Sequence, residues 1–137
     1  GAAKMALVGL MQTLSIEGQK NDIRVNCLAP TAHTRMTEDL GAALPLDQLG
    51  PELVSPGLVH LVAEDAPTRC ILAAGAGGFE RAYVTLTQGI RATGADAREQ
   101  IAARFDDISD RTDEIVPEMG AAQGMIELGK LQAAMKG

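Results

Sequence analysis

Residues 23–30, IRVNCLAP, constrain the fold most. The run is short, begins on β-branched residues and closes on a proline, the pattern of a strand buried in a parallel sheet. Directly before it, residues 2–16 carry Ala2, Ala3, Met5, Ala6, Leu7, Val8, Leu10, Met11, Leu14 and Ile16. Apolar groups occur all round this predicted helix instead of along one stripe. Such a helix is expected to be buried on more than one side, for example between its own sheet and a neighbouring subunit. Gly18 and Asn21-Asp22 are the expected stop.

The rest of the chain repeats the alternation once. Residues 31–50 are polar and glycine-punctuated, a long connection of the kind that covers a site. GPELVSPGLVHLVAED (50–65) predicts a second helix with Val54, Leu58, Leu61 and Val62 on one face, and either Pro51 or Pro56 can open it. CILAAGAGG (70–78) reads as a second buried strand entering a glycine turn, and RAYVTLTQG (81–89) as an edge strand or hairpin arm. The two strands are expected side by side and parallel. DAREQIAARFDDISD (96–110) offers Asp96 and Glu99 as a capping box, then Ile101, Phe105 and Ile108 at helical spacing. The acidic DDISDRTDEIVPE (106–118) reads as a solvated link. EMGAAQGMIELGKLQAAMKG (118–137) reads as a final helix with Leu128, Leu131 and Met135 on one face, weakened by internal glycines. Helix, strand, loop, helix, strand is an α/β order, and so few strands make only part of a doubly wound sheet.

Composition narrows the function. The 137 residues are 46% apolar and 22% charged, which is globular. Aromatics at 2% and a net charge of −6 argue against base stacking and phosphate-backbone binding, so no nucleic-acid partner is expected. No apolar run is long enough to cross a bilayer, no signal peptide is visible, and no membrane partner is expected. Cys27 and Cys70 lack CxxC spacing and are expected as reduced, buried thiols. His33 and His60 have no ligand spacing, and no metal is expected.

GAAK followed by IRVNCLAPTAHTRMT resembles the C-terminal half of a short-chain dehydrogenase/reductase. That family carries Tyr-x-x-x-Lys on a long helix, then a strand ending in Asn-x-x-x-Pro, then a threonine-bearing loop. AAK…GL…LSIEG, NCLAPTAHTRMT, GPELVSPGLVHLV and the GAG turn are similar in particular to the (3R)-hydroxyacyl-CoA dehydrogenase unit of peroxisomal multifunctional enzymes and its bacterial relatives, over roughly residues 1–110. The resemblance implies the C-terminal half of a Rossmann-type α/β domain over residues 1–92 and a helical C-terminal extension over 93–137. It implies NAD as cofactor, with NADP left open, and a 3-hydroxyacyl-CoA-like alcohol or its ketone as substrate. It places the family's tyrosine immediately before Gly1, so the 137 residues are expected to be a fragment inactive alone. The glycine-rich phosphate loop, the residue choosing NAD from NADP and the family's serine are also absent from these residues. A homodimer or homotetramer is implied for the complete protein, in the cytoplasm, or in peroxisomes if eukaryotic.

Oxidising an alcohol needs a base for the hydroxyl proton while hydride leaves, and a tyrosine is a poor base at neutral pH unless a cation stabilises its phenolate. A lysine four residues later stands one turn on along the same face. By resemblance Lys4 is that cation and also holds the nicotinamide ribose; the alternative is a solvated lysine at a helix start. Pro30, Thr31, Ala32, Thr34 and Thr37 follow the end of a parallel strand, where open α/β sheets bind ligands. Family members usually have glycine at the position of Thr31. Thr34 matches best the threonine that holds the carboxamide, with Thr37 second; either could instead cap the next turn. His33, Met36 and Leu40 are substrate-side candidates, and Met36, Leu40 and Leu44 line an acyl pocket or simply pack the loop. Arg35 is a candidate partner for a CoA phosphate. Asn26 is expected to serve the strand end structurally, and His60 to lie on a helix surface. The rivals are a generic carbonyl reductase and a non-catalytic fragment that only pairs with itself.

Overall fold

The computed structural model describes residues 1–33 and 48–136. They group into two compact units, Gly1–Tyr83 and Val84–Gly137.

The first unit opens with helix α1 (Ala2–Gly18). Its alanines, leucines and methionines are good helix formers. It ends where predicted, running into a 3₁₀ turn, Gln19–Asn21, closed by Asp22 in the left-handed conformation at φ 54°. Met11, Ser15 and Gly18 form the buried stripe, and the Ser15 hydroxyl is satisfied by the Gln12 carbonyl at 2.9 Å. Met5, Leu7, Leu10 and Leu14 face outward, with Met5 63% exposed. Among the described residues, therefore, the helix is buried along one stripe.

Strands β1 (Cys27–Thr31) and β2 (Ile71–Gly75) pair in parallel, Cys27 with Ile71 through Thr31 with Gly75. The expected neighbours and direction are thus present, but β1 begins four residues later than Ile23. Arg69 adopts φ 57°, a left-handed kink just before β2. Residues 24–26 are bonded to the loop around that kink: the Val25 N–H donates to Thr68 Oγ1 at 3.1 Å, and the Arg24 guanidinium donates to the Glu64 carbonyl. The Asn26 amide donates to the Pro67 carbonyl at 2.8 Å and the Leu61 carbonyl at 3.3 Å, while its oxygen accepts the Cys70 N–H at 2.9 Å. Asn26 has the structural role expected of it.

Between the strands a 3₁₀ turn, Pro51–Leu53, leads into helix α2 (Ser55–Leu61). Both prolines open an element, Pro51 the turn and Pro56 the helix, positions where a missing N–H costs nothing. The predicted apolar face is corrected. Val54, Gly57 and Leu61 are buried, whereas Leu58 and Val62 face outward, Val62 at 73% exposure. Gly57 sets this: a Cβ there would lie 3.1 Å from Leu72 and 3.0 Å from the Phe79 ring, so the helix meets the sheet along its glycine side. The helix also stops at Leu61, which leaves Val62 out of register.

Strand β3 (Gly78–Ala82) returns antiparallel, Gly75 opposite Gly78 and Ile71 opposite Ala82. Ala76 (φ 50°) and Gly77 (φ 79°) form the two-residue turn whose left-handed residues match strand twist. The hairpin arm is GFERA, so the expectation of RAYVTLTQG is corrected to its first two residues. No sixth position exists on β2, because the Cys70 N–H belongs to Asn26 and Arg69 kinks the chain. Neighbouring residues in extended chain point to opposite faces. Cys27 directs its sulfur to the Leu7 carbonyl of α1 at 3.7 Å, and Asn26 its amide to the end of α2. The two helices therefore cover opposite faces of the sheet, the layering of a Rossmann-type α/β domain.

In the second unit, α3 (Ala97–Ala103) and α4 (Phe105–Ser109) are separate helices, split by Arg104 at φ −120°. The predicted capping box does not form. Asp96 is the N-cap without a side-chain bond, and Glu99 pairs with Arg98 at 3.3 Å instead. Ile101 and Phe105 are exposed and Ile108 is half-buried. Helix α5 (Ala122–Lys136) buries Ala122, while the predicted face of Leu128, Leu131 and Met135 points outward, Met135 at 78%. The acidic stretch is no free link. Leu86 and Ile115 exchange backbone bonds at 2.9 Å, Thr87 donates to the Ile108 carbonyl at 2.7 Å, and Thr85 donates to Glu114 at 3.0 Å.

Replacing Asn26 with alanine strands two carbonyls and an N–H in a part-buried seam. A loss of about 2–3 kcal/mol is expected in chemical denaturation, from about 1 kcal/mol per bond; a loss near zero would dismiss the seam as decoration.

The Arg111 guanidinium, reinforced by Thr85, holds the Glu114 carboxyl below its ordinary value of 4.5, and Thr112 lowers Asp110 likewise. Carboxyls lowered on folding stabilise above their unfolded values, and that contribution fades as pH falls through the folded ones. The protection factor of the Leu86 amide should accordingly decline below pH 4.5, and Glu114→Gln should flatten the Glu114 part of that decline. A protection factor independent of pH in the parent chain would contradict it.

Candidate functional site at the C-terminal rim of the sheet

Two contacts fix the direction of α1 against the strands. Gln12 accepts from Arg69 Nε at 2.7 Å, two residues before β2, and the Leu7 carbonyl faces Cys27 at the start of β1. Cys27 pairs with Ile71, so walking back along the helix from Gln12 to Leu7 follows the strands in their own direction. Helix and strands are antiparallel. Lys4, three residues further back and about 4.5 Å along the axis, lies toward the strands' C-terminal ends. It is exposed in the first turn of α1, with its N–H bonded to the Gly1 carbonyl at 3.0 Å.

At that same end Pro30 and Thr31 finish β1, both exposed, and Ala32 and His33 continue half-buried. The His33 N–H donates to the Leu49 carbonyl at 2.7 Å. Its Nε2 is buried and has no hydrogen-bond partner among the described residues. Thr34, Arg35, Met36, Thr37, Leu40 and Leu44 lie outside the described residues. Lys4, Pro30, Thr31, Ala32 and His33 are thus directed to one end of the sheet.

Sequence reading missed Gly75. It sits opposite Thr31 at the last β1–β2 pair, and a Cβ there would fall 2.8 Å from the Thr31 carbonyl oxygen. Its only signal was a glycine at a strand end.

Burial pushes the Cys27 thiol up, which keeps it protonated and unreactive near neutral pH. Cys70 is buried, and both cysteines are free. Among the described residues no group of three or more His, Cys, Asp or Glu side chains could hold a metal, and no helix is long and apolar enough to cross a membrane. His60 is exposed on α2.

No protein-family model matches the chain. A short-chain type dehydrogenase/reductase of Mycobacterium tuberculosis is 38% identical over 111 residues, 80% of this chain and 39% of that protein. A peroxisomal hydratase-dehydrogenase-epimerase of Saccharomyces cerevisiae is 51% identical over 63 residues, 46% of this chain and 7% of that one. The solved structure of full-length peroxisomal multifunctional enzyme type 2 from Drosophila melanogaster matches with a TM-score of 0.76 at 23% identity, covering 96% of this chain and 25% of that chain. The fold is shared with it, and the chain spans well under half the length of each of these relatives. Over 80% of its own length the chain is thus similar to a short-chain dehydrogenase/reductase, and over 46% to a peroxisomal hydratase-dehydrogenase-epimerase.

Proposed function

We propose that these residues form the nicotinamide-side portion of an NAD(P)-dependent short-chain oxidoreductase, one that oxidises a 3-hydroxyacyl-CoA-like alcohol or reduces the matching ketone. The observation that carries this is convergence. The start of α1 with Lys4 and the end of β1 with Pro30–His33 come to the same edge of a parallel sheet, where open α/β folds bind ligands. Beside them the buried His33 Nε2 has no hydrogen-bond partner among the described residues, which marks a polar atom at this end of the sheet whose burial is costly.

The cofactor, when bound, supplies the hydride acceptor or donor. The chain's own residues do the rest of the work assigned to this portion. Lys4 holds the ribose hydroxyls through its ammonium and, by its charge, lowers the pKa of a tyrosine base supplied from outside these residues. Backbone groups of Pro30, Thr31 and Ala32 face the nicotinamide, and Thr34 or Thr37 holds its carboxamide. His33, Met36 and Leu40 contact the substrate. NAD is preferred over NADP only by resemblance. Peroxisomes are the expected compartment in a eukaryote, the cytoplasm otherwise.

A second reading has an observation of its own. Leu7, Leu10 and Leu14, at i, i+3 and i+7, leave an apolar helix face uncovered, which favours self-association into a dimer or tetramer. In the complete enzyme the two are compatible; a fragment that only associates is the rival.

Lys4→Met, made in a protein of the relatives' full length carrying this chain, keeps helix propensity and approximate length while deleting the charge. Turnover should fall about 10²–10⁴-fold and its pH profile move alkaline, while affinity for the nicotinamide cofactor weakens. Lys20→Met, in the 3₁₀ turn past α1, is the control and should change neither. If Lys4→Met leaves turnover and cofactor affinity at parent values, the assignment is wrong.

A further inference from the structure

We propose that Gly75 is a positioning residue for the nicotinamide site, acting through Thr31. The inference rests on the cofactor reading above and deepens it. The geometry is specific to this pair. Thr31 and Gly75 are the last partners of β1 and β2. A Cβ at Gly75 would lie 2.8 Å from the Thr31 carbonyl oxygen and 2.9 Å from Thr31 Cβ. Real Cβ atoms do not tolerate such distances to backbone, so any side chain at 75 must push Thr31 away.

Conformational freedom does not explain this glycine, because its backbone is not among the left-handed residues; Gly77, two residues on, is. What Gly75 provides is space. With no Cβ on β2, the end of β1 closes onto its neighbour, and the Thr31 carbonyl and the chain through Ala32 and His33 take their place on the rim. Threonine at 31 makes the demand stricter than glycine there would, since its own Cβ is one of the two clashing atoms. Positions 31 and 75 are therefore coupled. The same rim carries an internal control in Gly78, opposite Gly75 on β3. A Cβ there would meet the movable tip of Glu80 at 3.1 Å and the Gly75 carbonyl at an ordinary 3.4 Å, with nothing near Thr31.

The test uses a full-length protein carrying this chain and reads NADH binding by fluorescence titration, well below each variant's melting temperature, so that unfolding is not mistaken for weak binding. Gly75→Ala should raise the NADH dissociation constant about tenfold or more, the scale on which small misplacements act. Gly78→Ala should leave it unchanged. Adding Thr31→Gly to Gly75→Ala removes one clashing atom and should recover part of the loss, although Thr31→Gly alone brings no such gain. Should Gly75→Ala not fold, the double variant carries the test against Thr31→Gly alone: because the Thr31 carbonyl clash at 2.8 Å remains, weaker NADH binding by the folded double variant than by Thr31→Gly supports the coupling, and equal binding overturns it. A Gly75→Ala protein with lowered melting temperature but the parent's NADH affinity reduces Gly75 to a packing residue and overturns the proposal alone. A parent that fails to bind NADH or NADPH overturns the cofactor reading, and this one with it.

Discussion

The carboxamide of Asn26 makes bonds in three directions, and the first unit is organised around them. Its nitrogen donates to the end of α2 at Leu61 and to the connecting loop at Pro67, while its oxygen accepts from Cys70, the residue before β2. Beside it the Val25 N–H donates to Thr68 and the Val25 carbonyl accepts from Arg69, so the same loop is held on both sides of the carboxamide. Among the described residues of this unit the buried apolar side chains are Met11, Val54, Leu61, Ala66, Cys70 and Ala74. An amide is well matched to the task, since it presents donors and an acceptor at once and leaves neither the helix carbonyl nor the strand N–H unpaired. An aspartate in its place could not donate to either carbonyl.

That seam also explains where sequence pattern succeeded. The IRVNCLAP run and CILAA predicted two parallel neighbours correctly because apolar strands joined through a helix leave little topological choice. Pattern placed the stop of α1 through Gly18 and Asp22 for a local reason, a close approach and a left-handed turn. It failed where side chains or special backbone override periodicity. The start of β1 moved to Cys27 because Arg69 is left-handed and residues 24–26 are bonded to a loop distant in sequence. Leu58 and Val62 turned outward because the sheet contact of α2 runs through a glycine, which no hydrophobic count registers. The capping box of Asp96 and Glu99 lost to a neighbouring ion pair.

The site divides along the same line. Lys4 and the residues from Pro30 on enter the proposal through a motif, whose chemistry needs a cation on a helix beside a strand end. Gly75 was illegible, because its importance lies in an atom it lacks and in a partner 44 positions away, a distance that follows from the pairing of Thr31 with Gly75. Glycines at turns announce themselves by turn pattern; one that admits a neighbouring strand does not.

The arrangement has a physical economy that links helix and strands. In a parallel sheet with antiparallel covering helices, every strand ends where a helix begins. Helix starts bring unpaired N–H groups and positive partial charge, and strand ends bring free carbonyls with no pairing partner. Lys4 adds a full charge at the helix start, and Thr31 ends the strand beside a glycine that lets it close in. Under the proposed function, a ligand with a negatively polarised group and hydrogen-bond donors would find both at one edge. Such binding would require no buried charge in the apoprotein, because Lys4 and Thr31 are exposed. The small core and the open rim are therefore two aspects of one design: Asn26 holds the strand starts together with polar bonds, which leaves the strand ends free to present backbone to a ligand.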